Sequence, residues 1–323
     1  MKPSFFKGPL PVFLAMTFAS VVPALYVPEK RADAGTTIWE PQTKETDLKI
    51  KWNDDDGFKC ADDRKKTITQ ELRYAVDLAK TAEANPTLGE FYYHFFDLET
   101  QGKENHVEDV KGVYKRMSEM LLGTGDYQLA FSCKMDSLCV KKDGSPSGTS
   151  AFANDGGKRM NFCDIFFEAR NSNDGGASPF ITSDLISNCK SDQNTINLRK
   201  AQQSRAAIMV HESAHTKYVM GDVSEKGALD IAYGLLANLQ LPTGTLDRAD
   251  HLKKTGRGSQ VSPKDKSKIV CPSDDGQKEG ICDKTKCRSN DDSYVFPAAG
   301  VFFTQACEVE VPLPDGVTYP VLS

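Results

Sequence analysis

Four features are missing from this chain of 323 residues, and each absence argues against a class of protein or a modification. The net charge of −5 leaves no global excess of Lys and Arg, which binding to nucleic-acid phosphates requires. No two cysteines have the CxxC spacing of a zinc knuckle. Beyond the N-terminus, no run is long and apolar enough to cross a bilayer. No N-x-S/T sequon occurs, so ordinary N-glycosylation is not expected.

The N-terminus has the pattern of a secretory signal. Lys2 and Lys7 precede an uncharged apolar stretch, and Val22-Pro23-Ala24 offers a site for cleavage. The alternative is an uncleaved anchor, since residues 8–27 are nearly long enough to span a bilayer, but three prolines weaken a spanning helix there. We therefore predict a cleaved signal peptide over 1–24 and a secreted protein without stable membrane association.

All nine cysteines follow this signal: Cys60, Cys133, Cys139, Cys163, Cys189, Cys271, Cys282, Cys287 and Cys307. In an oxidising compartment, cysteines mostly pair, so disulfides are favoured over a thiolate metal cluster. Because nine is odd, at least one cysteine is free or bonded to another chain.

Hydrophobic periodicity predicts an α+β protein that is mainly helical. Helices are expected over 63–85, 105–123, 197–220 and 229–239. The segments DYQLAFSC and RMNFCDIFFEA suit short strands, with KKDGSPSGTSAFANDGGK as a turn-rich loop between them.

The predicted organisation is a single folded domain over 60–310. A polar, Cys-containing insertion occupies 241–288, and 311–323 form a C-terminal tail. Residues 25–59 are interpreted as a leader, short pro-like segment or surface strap, with a possible dibasic cleavage site at Lys30-Arg31.

The strongest chemical signal is HESAH, which places His211 and His215 one helical turn apart with Glu212 beside the first. Residues four apart lie on one helix face, so both imidazoles can reach a single metal ion. In this arrangement the glutamate does not bind the metal but takes a proton from its water. The alternative is a chance match on an ordinary amphipathic helix. The surrounding helical pattern and the use of two of only five histidines favour a metal site.

A catalytic zinc ion usually needs a third protein ligand. The next histidine is His251, and the extended H-E-x-x-H-x-x-G-x-x-H pattern is absent. Glu225 is the only nearby glutamate and lies in a loop ten residues after His215. The segment GALDIAYG offers Asp230 and, three residues later, Tyr233, which one helical turn would present on the same face.

HESAH followed by GALDIAYG resembles the deuterolysin-type zinc endopeptidases, the aspzincins, whose second motif is G-T-x-D-x-x-Y-G. NFCDIFF at 161–167 is similar to a cysteine-bearing strand of that family, and NDDSYVFPA at 290–298 to its N-x-D-S-Y segment. The matches span about 60–307. The resemblance implies a zincin-like fold with a small sheet, disulfides and an active-site helix.

The resemblance also implies roles for individual residues. His211, His215 and Asp230 would bind one zinc ion, Glu212 would be the general base, and Tyr233 would donate to the developing oxyanion. Cys60 would pair with Cys133, and Cys139 with Cys163. Three features depart from the family: Ala228 replaces its threonine, Asp230 follows His215 by fifteen positions, a longer gap than the family's, and the insertion follows.

The sequence thus predicts a secreted, monomeric zinc metalloendopeptidase acting on proteins or peptides, with no nucleic-acid partner. Two histidines and a carboxylate could also hold non-haem iron, but Glu212 has an evident task only in hydrolysis. Two alternatives from other classes are an inactive secreted binding or effector protein on a peptidase fold and a disulfide-rich structural protein.

Overall fold

The computed structural model describes residues 30–311 except for 34–35, 86–90, 97–105, 155, 157, 169–176, 183–184, 186–187, 193–194, 226, 243 and 247–283. The predicted signal peptide, most of the predicted insertion and nearly all of the predicted tail lie outside the described residues. Within the described part of the chain, no helix has the length and apolarity needed to span a membrane.

Helices form most of the regular structure, which together with a small sheet makes this an α+β protein. The helices are α1 (Asp62–Ala84), α2 (Phe91–Phe96), α3 (Val107–Leu122), α4 (Asp164–Phe167), α5 (Leu198–Gln202), α6 (Arg205–Ala214), α7 (Lys217–Met220), α8 (Leu235–Gln240) and α9 (Asp292–Cys307). The strands are β1 (Lys30–Asp33), β2 (Thr36–Trp39), β3 (Lys51–Trp52), β4 (Ala130–Ser132), β5 (Ala151–Asn154) and β6 (Arg159–Phe162).

A four-stranded mixed sheet has the strand order β3-β4-β6-β5, and β1 and β2 form a separate hairpin. Strand β4 pairs in parallel with both β3 and β6, whereas β5 runs antiparallel to β6. Strands β3 and β5 form the two edges of the sheet. Strand β5 lies inside the predicted turn-rich loop, so that prediction was wrong there. The DIFF part of the second predicted strand forms helix α4 instead.

The predicted helix over 197–220 is interrupted twice, giving α5, α6 and α7. Ser204 and Thr216 cap the second and third pieces, because their hydroxyls accept hydrogen bonds from Ala207 N and Val219 N at 3.3 Å each. Such side-chain caps satisfy amide groups that a new helix start leaves open. Helix α6 therefore carries His211 and ends directly before His215.

The core is built around α1, which packs against α3, α6 and α9. Helix α9 is buried along nearly its whole length. Its Phe296 stacks on Phe95 with ring centroids 5.6 Å apart, and Tyr114 donates a hydrogen bond to Tyr294 O at 2.8 Å. Because α6 and α9 share this packed core, the side chains between them are held in fixed positions.

Among the described residues, three disulfides join the elements: Cys60–Cys133, Cys139–Cys163 and Cys189–Cys307. Cys271 and Cys282 lie outside the described residues. The first two confirm the pairings that the resemblance implied. Cys287 is buried, and its thiol donates to Phe96 O at 3.0 Å.

Part of the predicted leader or strap packs on the domain. The buried Asp77 carboxylate accepts hydrogen bonds from Gln42 N at 2.7 Å and from both the amide and the hydroxyl of Thr43, at 3.1 and 2.7 Å. Trp52 belongs to the edge strand β3. Residues 42–52 are therefore anchored to α1 and to the sheet.

Glu71 is a buried acid at the junction of α1 and α6, where its carboxylate accepts a hydrogen bond from Phe180 N at 3.1 Å. Burial raises its pKa from the ordinary 4.5 to about 7, against the opposing effect of that hydrogen bond and of Arg205. The folded state therefore binds this proton more tightly than the unfolded state. The contribution of this group to stability is therefore fully present below pH 4.5 and is lost as the pH rises through about 7.

Replacing Glu71 with glutamine is expected to weaken the pH dependence of stability. The raised pKa implies a loss of about 3 kcal/mol in the free energy of unfolding between acid pH and pH 8, and this loss should disappear in Glu71→Gln. Urea unfolding at pH 5, 7 and 8 measures it. Glu108→Gln, which alters an exposed glutamate, is the control. Equal pH dependence in wild type and Glu71→Gln would contradict the prediction.

Candidate metal centre

His211 and His215 both direct Nε2 towards a common point, because the Nδ1 atom of each ring is hydrogen-bonded on the opposite side. His211 Nδ1 lies 2.8 Å from Asp292 Oδ1, and His215 Nδ1 lies 2.9 Å from Ala228 O. A partner on Nδ1 fixes the tautomer and the ring orientation and leaves Nε2 for a metal. The partner of His215 is the backbone carbonyl of residue 228. The side chain there, alanine where the aspzincin motif has threonine, therefore does not affect this contact.

Asp230 reaches the histidines because the segment before α8 is tied to two other parts of the chain. Ala228 N donates to Ala214 O at 2.7 Å, and Leu229 N donates to Ser289 O at 2.9 Å. The buried side chain of Asn290 accepts from Ile231 N and Ala232 N at 2.9 and 2.8 Å. These bonds hold the backbone on both sides of Asp230, so the long connection from His215 ends at a defined position.

Gly227 lets this connection pass close to the histidine helix. Its φ is +84°, a conformation that favours glycine, and an added Cβ would lie 2.0 Å from His215 O. The first glycine of GALDIAYG is therefore required by the close approach of two backbone segments.

The predicted helix over 229–239 begins only at Leu235. Residues 228–232 bond to Ala214, Ser289 and Asn290 instead of forming a helical ladder. Gly234 has a φ of +87°, which a helix interior does not accommodate. Asp230 and Tyr233 therefore do not lie on one helical turn. Tyr233 is half-buried in the irregular segment before α8.

A second aspartate, Asp291, faces the same point from the start of α9. It is 1% exposed, and its Oδ1 caps the helix by accepting a hydrogen bond from Asp292 N at 2.6 Å. Its Oδ2 is buried and accepts no hydrogen bond from the described residues. A buried carboxylate oxygen without a donor is costly unless a cation satisfies it.

Four side chains thus offer ligand atoms within 4.8 Å of one another: His211, His215, Asp230 and Asp291. Asp230 Oδ1 is 3.4 Å from His211 Nε2 and 3.8 Å from His215 Nε2. Asp291 Oδ2 is 3.6 Å and 3.2 Å from the same two nitrogens. Ligands bound tetrahedrally at zinc distances are about 3.4 Å apart, so the spacing and the nitrogen and oxygen donors fit such an ion.

Glu212 lies beside this group without belonging to it. Its Oε2 accepts a hydrogen bond from Ala153 N of strand β5 at 2.8 Å, while Oε1 lies 3.9 Å from His211 Nε2. The edge strand therefore fixes one carboxylate oxygen and leaves the other near the ligand atoms.

The charges around the site shift several pKa values. Burial by itself would lower the pKa of His211, but the surrounding carboxylates, Asp291 first, raise it well above its usual value. Burial would raise the pKa of Asp230, yet His211 and His215 hold it well below its usual range. Burial raises the pKa of Asp291, and Asp230 and Asp292 act in the same direction.

Comparison with known proteins assigns this chain to no group: no protein-family model and no curated protein matches it.

The structure brings together His211, His215 and Asp230, which the sequence predicted as ligands, with Glu212 next to them. The alternative ligand Glu225 is exposed and is not part of the group. His251 lies outside the described residues.

Sequence reasoning assigned no role to Asp291, Asp292 or Ala153. The N-x-D-S-Y resemblance marks the second aspartate of NDDSY and leaves the first unspecified. Nothing in the sequence pointed to Ala153, because its strand was predicted as a loop.

Proposed function

We propose that this protein is a secreted zinc-dependent endopeptidase of the deuterolysin type. The observation that carries the proposal is the convergence of His211, His215 and Asp230, with Glu212 held beside them by Ala153 N. When bound, a zinc ion would supply an acidified water and polarise the scissile carbonyl.

The chain's own residues would do the rest. Glu212 has the position of a general base, because Oε2 is held by Ala153 N while Oε1 remains on the side of the ligand atoms. Burial raises the pKa of this carboxyl, against the opposing effect of His215 and His211. A base with a raised pKa holds the abstracted proton well enough to pass it to the leaving amine.

Strand β5 offers a place for an extended substrate. It forms one edge of the sheet, next to β6, and its residue Ala153 donates a hydrogen bond to Glu212. An extended peptide can add to an exposed sheet edge through backbone hydrogen bonds. Such a peptide would run past Glu212 and the metal ligands, so we expect an endopeptidase. Tyr233 remains the proposed donor to the oxyanion.

The leading alternative is a secreted binding or effector protein on a peptidase fold. One observation favours it: a carboxylate oxygen of Asp291 joins the three predicted ligand atoms, and four protein ligands are typical of structural zinc. Such a protein would bind zinc without hydrolysing peptides.

Metal analysis combined with a casein assay tests the proposal. The purified protein should contain one zinc ion per chain, lose casein cleavage on treatment with a strong chelator, and regain it on addition of zinc. Loss and recovery should follow metal occupancy. A protein that binds zinc and cleaves neither casein nor unfolded peptide libraries would support the binding-protein alternative.

Replacing Asp292 with asparagine is expected to weaken zinc binding by roughly 10- to 100-fold, which is the usual effect of losing a carboxylate behind a metal-binding histidine. Asp292 holds His211 Nδ1, and Gln202 and Gly234 N donate to its other oxygen. Competition with a fluorescent zinc chelator measures the affinity. Asp109→Asn, which alters an exposed carboxylate beside the buried His106, is the matched control. Unchanged affinity in Asp292→Asn would contradict the assignment.

A further inference from the structure

Asp291 is the feature of the site that the proposed mechanism does not use. Three ligands and a water position are sufficient for a hydrolytic zinc ion. Asp291 nevertheless points a buried oxygen at both histidine Nε2 atoms, and within the described part of the chain this oxygen accepts no hydrogen bond. Its other oxygen is occupied by Asp292 N, and this helix-capping bond fixes the side chain in that direction.

We propose that Asp291 is a fourth protein ligand, which closes the coordination sphere of the ion in the resting protein and leaves no position for water. The inference rests on the metal site of the proposed function and adds a means of regulating it. The four distances between carboxylate oxygens and histidine nitrogens run from 3.2 to 3.8 Å, close to the edges of a zinc-sized tetrahedron.

The charges agree with this assignment. Two carboxylates and two neutral imidazoles balance a divalent cation. Asp292 is unavailable as a ligand, because His211 Nδ1, Gln202 and Gly234 N already occupy its oxygens. Asp291 therefore provides the second carboxylate, and the ion removes the unsatisfied oxygen from the protein interior.

A closed sphere makes hydrolysis conditional. For water or substrate to reach a zinc ion held by these residues, Asp291 Oδ2 would have to turn away from the two histidine nitrogens. Rotation of the Asp291 side chain would break only its own capping bond and leave Asp230 in place. The resting protein would thus hold its metal ion in an unreactive state until a ligand displaces this carboxylate.

Cobalt substitution tests the proposal without relying on activity. The metal is removed from the purified protein, cobalt(II) is added, and the visible spectrum is followed during titration with azide, a small anion that binds to open cobalt positions. Asp291→Ala and Asp291→Asn are compared with wild type, and thermal unfolding of the metal-free forms verifies that each variant folds. Glu225→Gln is the matched control, because it removes an exposed carboxylate of the segment between His215 and Asp230 that is not part of the ligand group.

The wild-type and Glu225→Gln spectra should not respond to azide, whereas the Asp291→Ala spectrum should shift. Zinc affinity of Asp291→Ala should fall by more than the roughly 10- to 100-fold expected for an outer carboxylate. A wild-type spectrum that responds to azide as the Asp291→Ala spectrum does would overturn the proposal, whatever the affinities. If the wild type nevertheless cleaves casein and Glu212→Gln does not, the proposed function stands. A wild type that binds no metal ion would refute both.

Discussion

Replacement of Glu212 by glutamine should lower the turnover number for peptide cleavage by roughly 10²- to 10⁴-fold, the contribution expected of a general base. Glutamine has nearly the same shape and can still accept the hydrogen bond from Ala153 N, so the site should keep its geometry. It cannot accept a proton. Glu212 is not one of the four grouped ligand side chains, so zinc content should remain one ion per chain.

The measurement combines zinc analysis with initial rates on an internally quenched peptide. Glu225→Gln, which changes an exposed glutamate thirteen positions later, is the matched control and should cleave like wild type. Full zinc occupancy together with undiminished cleavage in Glu212→Gln would eliminate Glu212 as the base. Loss of zinc as well as activity would show that the variant disturbs the ligands instead.

Replacement of Asp230 by alanine should weaken zinc binding by more than roughly 100-fold, beyond the range for outer carboxylates. Asp230 Oδ1 lies 3.4 and 3.8 Å from the two histidine nitrogens. Cleavage should be lost at zinc concentrations that saturate wild type. The zinc affinity of Asp230→Asn should lie between those of wild type and Asp230→Ala, because an amide oxygen is a weaker ligand than a carboxylate.

Chelator competition provides the affinities, and Glu225→Ala provides the comparison, because Glu225 was the other carboxylate considered from the sequence. If Glu225→Ala lost its zinc while Asp230→Ala kept it, the third ligand would be misassigned. Fluorescence and far-UV circular dichroism of the metal-free proteins separate loss of the ligand from loss of the fold.

Much of the local structure could be predicted from the chain itself. The periodic patterns before Pro86 and Gly123 predicted α1 and α3, and Gly123 ends α3 with a φ of +70°. Regular apolar spacing determines such helices because one face must be buried. The four-residue spacing of His211 and His215 likewise fixed two nitrogens on one side of a helix.

Prediction failed where bonds between distant segments replace local ones. Strand β5 follows a turn-rich sequence, and its pairing with β6 makes it a strand. The start of the predicted helix at 229 is instead held by Ser289 and Asn290, about sixty positions later.

The sequence by itself determined the candidate site residues of this protein: a histidine pair with its glutamate, an aspartate after a glycine turn, and cysteines suited to disulfides. Only the tertiary structure decided how many candidate ligands meet. Asp291 is distant from His211 in sequence, and its oxygen reaches the site because α9 packs against α6. Residue types and local spacing are properties of a segment, whereas coordination depends on distances that only the packed core sets.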